Sequence, residues 1–129
     1  MSTGQTPTVA GCLRNFGAVA AVAMSYGKRI AVIPAGERWR ADESLRPAYE
    51  DWLGAGAIIS QLRGRLSVEA RAARAAFLDA QSELSQLLNA CSSAKEHSEQ
   101  GLAENVSLAA AVNVSDCVPL LVDGAYRRM

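Results

Sequence analysis

The sequence predicts an α/β protein with three layers, α/β/α, built around a short and mostly parallel sheet. Short apolar runs at residues 8–13 and 30–33 flank a segment of small apolar residues, and another run covers 118–122. Runs this short are typical of strands that are covered on both faces. The order strand, helix, strand favours a parallel βαβ unit with a right-handed crossover. So few strands among several helices leave a sheet edge open, which predicts half of a larger domain.

Length and composition indicate a single α/β domain or half-domain over residues 1–129. Half of the 129 residues are apolar, and a chain of this length buries roughly two thirds of its extended surface. Residues 1–7 are mostly polar and contain Gly, Thr and Pro. We expect them to form a flexible N-terminal segment.

Charge and cysteine content argue against several classes of protein. The 13 basic residues cancel the 13 acidic ones, so we expect neither nucleic acid nor an anionic membrane as a partner. The 3 cysteines show no paired spacing, which favours a reducing compartment over a disulfide framework. No signal peptide and no apolar run near the ~20 residues of a membrane span are visible. The predicted location is the cytoplasm.

The first half of the chain contains the predicted βαβ unit. Asn15 is a plausible N-cap for a helix that runs to about Tyr26, where Gly27 would end it in the left-handed conformation. The following strand, 30–33, stops at the turn-forming sequence Pro34-Ala35-Gly36.

Later elements are mostly helical. A helix is predicted from Leu45 or Arg46 to about Arg63, and Gly64 breaks it. Ser67 can cap a long helix that reaches about 91, with short helical segments at 92–101 and 102–112. A strand at 118–122 follows, and Asp123-Gly124 is expected to turn the chain outward.

Residues 29–56 contain most of the candidate functional side chains of the sequence. Glu37 and Arg38 follow the 30–33 strand, and ligands of open α/β sheets bind at the carboxyl ends of strands. Pro47 suits the first turn of the next helix, and Glu50 and Asp51 follow within roughly the next turn, near the positive end of the helix dipole. This arrangement suggests a site.

Asp51 is the most unusual of these residues, because it heads a helical row that is otherwise apolar: Ala55, Ile58 and Leu62. A lone carboxylate in a buried row is costly. Two interpretations remain open: Asp51 is a cap near solvent, or it meets a cation, an arginine or a ligand.

Four segments resemble the C-terminal half of the 2-phosphosulfolactate phosphatase family, enzymes of coenzyme M biosynthesis. They are GCLRNFGAVA at 11–20, VIPAGERW at 32–39, LRPAYEDWLGAGAII at 45–59 and VSDCVPLLVDGAY at 114–126. The resemblance covers nearly the whole chain in order and spacing. It implies a magnesium-dependent phosphomonoester hydrolase with an α/β/α fold, and a small-molecule phosphoester as substrate.

The resemblance also implies that something is missing. The family's N-terminal half, with its own Asp- and Arg-bearing motif, has no counterpart in these residues. We therefore expect a chain that is weakly active or inactive alone, as a homo-oligomer or as one subunit of a split phosphatase whose partner chain supplies the missing half. The alternative is a non-catalytic remnant or binding module that keeps the fold.

The acidic residues supply the predicted magnesium chemistry. Mg²⁺ prefers oxygen ligands and commonly uses one or two carboxylates together with substrate phosphate. Asp51 and Glu50 are the candidate metal ligands, and Glu37 and Asp51 are the candidate catalytic residues. Placement near a helix start explains Glu50 and Asp51 without catalysis, and a surface ion pair explains Glu37 equally well.

Three further residues are candidates for binding the substrate. Arg38 and Arg46 can make bidentate contacts with a phosphate. Asn15 can present its amide to an oxyanion at a helix N-terminus. Asn15 is equally well explained as a helix cap only.

Overall fold

The structure is a computed structural model that describes residues 6–129; most of the predicted flexible segment 1–7 lies outside the described residues. It shows a mixed α/β protein, about half helical, with two small antiparallel sheets. The helices are α1 Phe16–Tyr26, α2 Tyr49–Gln61, α3 Val68–Ala80, α4 Leu84–Ala90, α5 Ser92–Glu99 and α6 Ala103–Ala109. The strands are β1 Glu37–Arg38, β2 Leu45–Arg46, β3 Pro119–Val122 and β4 Ala125–Arg128.

The predicted α/β class is confirmed, but the mostly parallel three-layer sheet is wrong. Each sheet is an antiparallel pair, β1 with β2 and β3 with β4. Residues 8–13 contribute a single antiparallel bridge between Val9 and Leu120. Residues 30–33 pair with no described strand. The parallel βαβ unit is therefore absent from the described residues.

A local hairpin explains why the third apolar run does not join a parallel sheet. Asp123 and Gly124 both have positive φ, 49° and 79°, as a type I′ turn requires, and Asp-Gly is a strong hairpin signal. This turn gives β3 an antiparallel partner only two residues away along the chain. Residues 8–10 occupy the other edge of β3 through backbone bonds of 2.8 and 2.9 Å. Both edges of β3 are thus filled.

The first predicted helix is confirmed, but the structure of its two ends differs from the prediction. α1 begins after Asn15, which holds the N-cap position but makes no side-chain cap bond. Gly27 has φ 170° and is extended, not left-handed as predicted.

The second helix begins later than predicted. Leu45 and Arg46 form β2 opposite β1, so α2 begins only at Tyr49, after Pro47. Proline restricts the residue before it to extended conformations, which suits a strand at Arg46.

The predicted long helix 67–91 is divided by a 3₁₀ turn at Gln81–Glu83 into α3 and α4. The cap at Ser67 is confirmed, because its hydroxyl accepts a bond of 3.2 Å from the backbone N–H of Ala70.

The core lies around α2, between α1 and α3, and extends to the buried faces of α4, α5 and α6. Phe77, Leu53 and Leu88 are its largest fully buried side chains, and the rings of Phe16 and Phe77 meet edge to face at 5.8 Å. Every residue of α2 from 53 to 59 is buried, as expected for a helix that is covered on two sides. The N-terminal turn of α2, which carries Glu50 and Asp51, projects beyond this covered part.

No helix within residues 6–129 combines the length and the apolar character that crossing a membrane would require.

Candidate functional site

The β1–β2 hairpin and the first turn of α2 carry every predicted site residue except Asn15. In the hairpin, Glu37 lies opposite Arg46 and Arg38 opposite Leu45. One hydrogen bond ties the hairpin to α2: the backbone N–H of Gly36 donates to Oδ2 of Asp51 over 2.9 Å. The structure thus brings the hairpin and the first turn of α2 into contact, and the role of these residues as a site stays a prediction.

Gly36 makes this contact possible through its backbone conformation. Its φ is +74°, and a Cβ at this position would lie 2.9 Å from the carbonyl oxygen of Arg46. Glycine adopts positive φ without steric cost and leaves room for the close strand. The glycine therefore lets the chain turn sharply into β1 while its N–H faces Asp51.

Asp51 is half-buried, and its surroundings disfavour its charge. Burial raises the pKa of this carboxyl above its usual value, and the nearby charges of Glu50 and Glu37 add to the increase. The Gly36 N–H acts in the opposite direction but does not cancel the effect. No ion pair among residues 6–129 includes Asp51. The described part of the chain thus leaves this carboxylate without a compensating cation.

Glu50 is directed toward the beginning of α5. Its Oε2 lies 3.7 Å from Sγ of Cys91, and burial raises the pKa of the Cys91 thiol, with Glu50 contributing. The thiol therefore stays protonated at neutral pH and donates to Glu50. This contact gives Glu50 a structural partner that the sequence did not indicate.

Arg46 lies in a buried polar cluster. Its side chain is 4% exposed, and its Nη2 forms an ion pair of 2.9 Å with Oε2 of Glu96. Nη1 lies 3.4 Å from the hydroxyl of Ser93, and the guanidinium stacks on the Trp39 ring at 5.0 Å. The Nε donor has no described partner. The cluster joins the hairpin to α5.

The partners of Arg46 were missed by sequence reasoning. Ser93 and Glu96 have the spacing of a capping box, but α5 begins at Ser92 and its N-cap Cys91 makes no side-chain cap bond. Glu96 instead reaches an arginine 50 residues earlier in the chain. The local spacing carried no signal for this long-range pair.

Glu37 and Arg38 are exposed, and the charge of Glu37 is close enough to Asp51 to raise the pKa of its carboxyl. Oε1 of Glu37 accepts a bond of 2.9 Å from the backbone N–H of Arg38. The Arg38 guanidinium donates to the carbonyl oxygen of Glu43 within the same hairpin. Both side chains are accessible to a ligand at the surface.

Asn15 lies outside the group of residues around Asp51. Its side chain forms hydrogen bonds to two separate segments of the chain. Its Oδ1 accepts a bond of 2.8 Å from the backbone N–H of Cys12. Its Nδ2 donates to the carbonyl oxygen of Cys117 over 2.9 Å and more weakly to that of Ala10. Asn15 is buried, so its amide serves to join the N-terminal and C-terminal segments.

Two depressions of the described surface do not include Asp51. One lies along α3 and the other at Gly17 and residues 113–116. No group of three or more potential metal ligands occurs within residues 6–129. Mg²⁺ commonly needs only one or two carboxylates, and the uncompensated Asp51 with Glu37 and Glu50 nearby fits that requirement.

Comparison of the sequence with known families gives a single clear result. Residues 2–124 match the model of the 2-phosphosulpholactate phosphatase family. The chain belongs to this family. The match spans the whole Asp51 region and both segments that Asn15 joins, and it supports a 2-phosphosulfolactate phosphatase-like function. A search among curated proteins found no significant match.

Proposed function

We propose that this chain is the part of a magnesium-dependent phosphomonoester hydrolase that carries Asp51, and that the substrate is 2-phosphosulfolactate. The observation that carries the proposal is the half-buried Asp51 carboxylate, which has raised pKa and no described cation partner, within a chain of the phosphatase family. A carboxylate that the protein itself leaves uncompensated is suited to an external cation. The proposed compartment is the cytoplasm.

Asp51 is the proposed principal ligand of Mg²⁺, with Glu50 as the second candidate. When bound, Mg²⁺ supplies charge neutralisation for the phosphoryl oxygens. Glu50 would have to leave the Cys91 thiol or use its other oxygen, whereas Asp51 is fixed by Gly36 and needs no rearrangement. The geometry therefore favours Asp51 as the ligand that is already in place.

Hydrolysis requires a water oxygen to bond to phosphorus while the P–O bond to the sulfolactate carbon skeleton breaks. Glu37, exposed next to Asp51, is the proposed acceptor of the proton from that water. The departing alkoxide takes up a proton from solvent and Glu37 returns its proton to solvent, so that the products are sulfolactate and phosphate. Arg38 is accessible and can contact phosphoryl oxygens.

Arg46 is proposed to hold the hairpin against α5, and Asn15, which lies outside the Asp51 group, to join distant chain segments. The Arg46 side chain is 4% exposed and already donates to Glu96 and Ser93, so its burial limits its access to a phosphate at the surface. Asn15 already uses both ends of its amide. We therefore propose that Arg38, rather than Arg46 or Asn15, contacts the substrate directly.

The isolated chain is expected to turn over slowly or not at all, because Glu37 and Arg38 are exposed to water and the Arg38 guanidinium also donates to the carbonyl oxygen of Glu43. A partner chain would complete the site. The second candidate function, a binding module without turnover, is favoured by the same exposure of Glu37 and Arg38 to solvent.

A phosphate-release assay with 2-phosphosulfolactate and Mg²⁺ tests the proposal, with an aryl phosphate as comparison substrate. We expect slow, magnesium-dependent release that Asp51→Asn abolishes. Turnover within the usual enzyme range of ~1–1000 s⁻¹ by the isolated chain would contradict the half-site proposal. Absence of magnesium-dependent release, together with tight binding of the substrate, would favour the binding module.

A further inference from the structure

The β1–β2 hairpin depends on side-chain contacts for its position. Each strand has 2 residues, and the pair joins no other described strand. An isolated two-stranded hairpin is at best marginally stable in water. The position of Glu37 and Arg38 therefore depends on the contacts between the hairpin and the helices.

Hydrogen bonds join residues 36–46 to the helices at two places in the described part of the chain. At the first, the Gly36 N–H donates to Asp51 at the beginning of α2. At the second, the Arg46 guanidinium donates to Glu96 of α5 over 2.9 Å. Both bonds end on a carboxylate, and such bonds are stronger than those between neutral groups.

The two contacts meet in the backbone of the hairpin. Arg46 is the residue of β2 that lies opposite Glu37 in the antiparallel register. Its carbonyl oxygen also lies close to Gly36, 2.9 Å from the position that a Cβ would take there. A displacement of Arg46 would therefore displace the two hairpin groups that act on Asp51, which are the Gly36 N–H and the Glu37 carboxylate.

We propose that Glu96 is a positioning residue of the Asp51 site and acts through Arg46. By holding the guanidinium, the Glu96 carboxylate keeps β1 against the first turn of α2, where the Gly36 N–H fixes the Asp51 carboxylate for a cation. The role in metal binding rests on the proposed function, whereas the link from Glu96 to Asp51 can be tested without metal.

Burial makes Arg46 dependent on this partner. Its side chain is 4% exposed, so water cannot readily take the place of the carboxylate. The Nε of Arg46 already lacks a described partner, and loss of Glu96 would leave Nη2 unpartnered as well. An unsatisfied buried donor is costly, and Arg46 can regain a partner only by moving toward water. Loss of Glu96 therefore loosens the hairpin and not α5 alone.

The pH dependence of the Gly36 amide proton in NMR spectra tests the link without metal. Because this N–H donates to Oδ2 of Asp51, its chemical shift should follow the ionisation of Asp51 in the wild type. Glu37 and Glu50 are also close to Asp51, so Asp51→Asn, which should abolish the inflection, shows that it belongs to Asp51.

Variants of α5 then show whether Glu96 maintains this bond. We expect Glu96→Ala to lose the Gly36 inflection. Glu96→Gln should show an intermediate one, because it loses the charge but keeps an acceptor oxygen. Glu99→Ala is the matched control: Glu99 is an exposed carboxylate of the same helix, and its replacement should leave the inflection unchanged. The amide spectrum of residues 53–59 checks that each variant is folded.

Magnesium titration of the same variants tests the role in metal binding. Glu96→Ala should weaken Mg²⁺ binding about 10–100-fold, the usual effect of removing a group that orients a metal ligand. Glu96→Gln should weaken it less, and Glu99→Ala should bind like the wild type.

An unchanged Gly36 inflection in Glu96→Ala would overturn the proposal, as would a wild-type Gly36 amide that does not follow Asp51. Loss of the inflection with unchanged Mg²⁺ affinity would refute the role in metal binding. If the wild type binds no Mg²⁺, the proposed function fails, and the Gly36 titration still decides whether Glu96 positions Asp51. Should Glu96→Ala not fold, Glu96→Gln decides, and an inflection equal to that of the wild type refutes the link.

Discussion

At the scale of single residues, the account depends on a carboxylate that the fold holds in an unfavourable place. Asp51 is fixed by the N–H of Gly36, is half-buried, and lies near Glu37 and Glu50. If Asp51 served only the dipole of α2, its ionised form would be stabilising. The raised pKa shows the opposite balance, in which burial and like charges outweigh the favourable contacts.

The pH dependence of stability follows from this raised pKa. Below the ordinary carboxyl value of 3.8, Asp51 is protonated in both folded and unfolded chains and its stabilising contribution is fully present. As pH rises through the raised pKa, the unfolded chain ionises first, so the contribution is lost. We therefore expect the free energy of unfolding of the wild type to fall relative to Asp51→Asn over this range. Urea unfolding of both proteins at a series of pH values measures the difference.

At neutral pH without metal, Asp51→Asn should leave stability unchanged or raise it. A loss of about 0.3–1 kcal/mol would instead show that the carboxylate stabilises the helix dipole. That result would show that the charge of Asp51 is already compensated within the folded chain.

The buried ion pair gives a second residue-scale prediction. Glu96→Gln should lower the free energy of unfolding by about 1–3 kcal/mol, because it leaves the charge of Arg46 buried without its counter-charge. Chemical denaturation provides the measurement. Glu99→Gln on the same helix is the control; Glu99 is exposed, and its replacement should change stability by less than about 0.5 kcal/mol. Equal effects of the two variants would show that the Arg46–Glu96 pair contributes nothing specific.

At the scale of elements, close packing of α2 against α3 sets the position of the site. A Cβ on Gly56 would lie 2.1 Å from the carbonyl oxygen of Ala73, whereas a Cβ on Gly54 would find its nearest atoms at 3.8 and 3.9 Å. Gly56 is therefore where the two helix backbones meet. The first turn of α2, with Asp51, is held by this contact one turn beyond the core.

Two glycine replacements in one helix test this packing. Gly56→Ala should destabilise by at least about 1–3 kcal/mol, the range for overpacked cores. Gly54→Ala, the matched control, should be neutral or stabilising by up to about 0.5–1 kcal/mol through its helix preference. Thermal unfolding of both variants decides. The packing account fails if Gly56→Ala is as stable as Gly54→Ala.

At the scale of the whole molecule, local patterns were predictable and long-range pairing was not. α1 and the cap at Ser67 follow from helical spacing and capping chemistry within a few residues. The hairpin at Asp123-Gly124 also had a clear local signal, since Asp-Gly favours a type I′ turn. The dipeptide was expected only to turn the chain outward, so the antiparallel β3–β4 sheet was not predicted.

The prediction of a parallel sheet was wrong for a different reason. Residues 30–33 have the composition and alternation of a strand, but a strand also needs a neighbour, and none of the described residues supplies one. For the site, the sequence identified the carboxylates of the Asp51 region from their spacing. The partners of Arg46 and Asn15 lie 50 and 102 residues away along the chain, and no periodicity could indicate them.

The most direct test of the account is a calorimetric titration of the full chain with Mg²⁺, repeated for Asp51→Asn. The account predicts saturable binding to the wild type and its loss in Asp51→Asn, because Asp51 supplies the carboxylate whose charge the cation offsets. Glu99→Gln, which removes an exposed carboxylate outside the site, should bind like the wild type. Equal magnesium binding by wild type and Asp51→Asn would contradict the account.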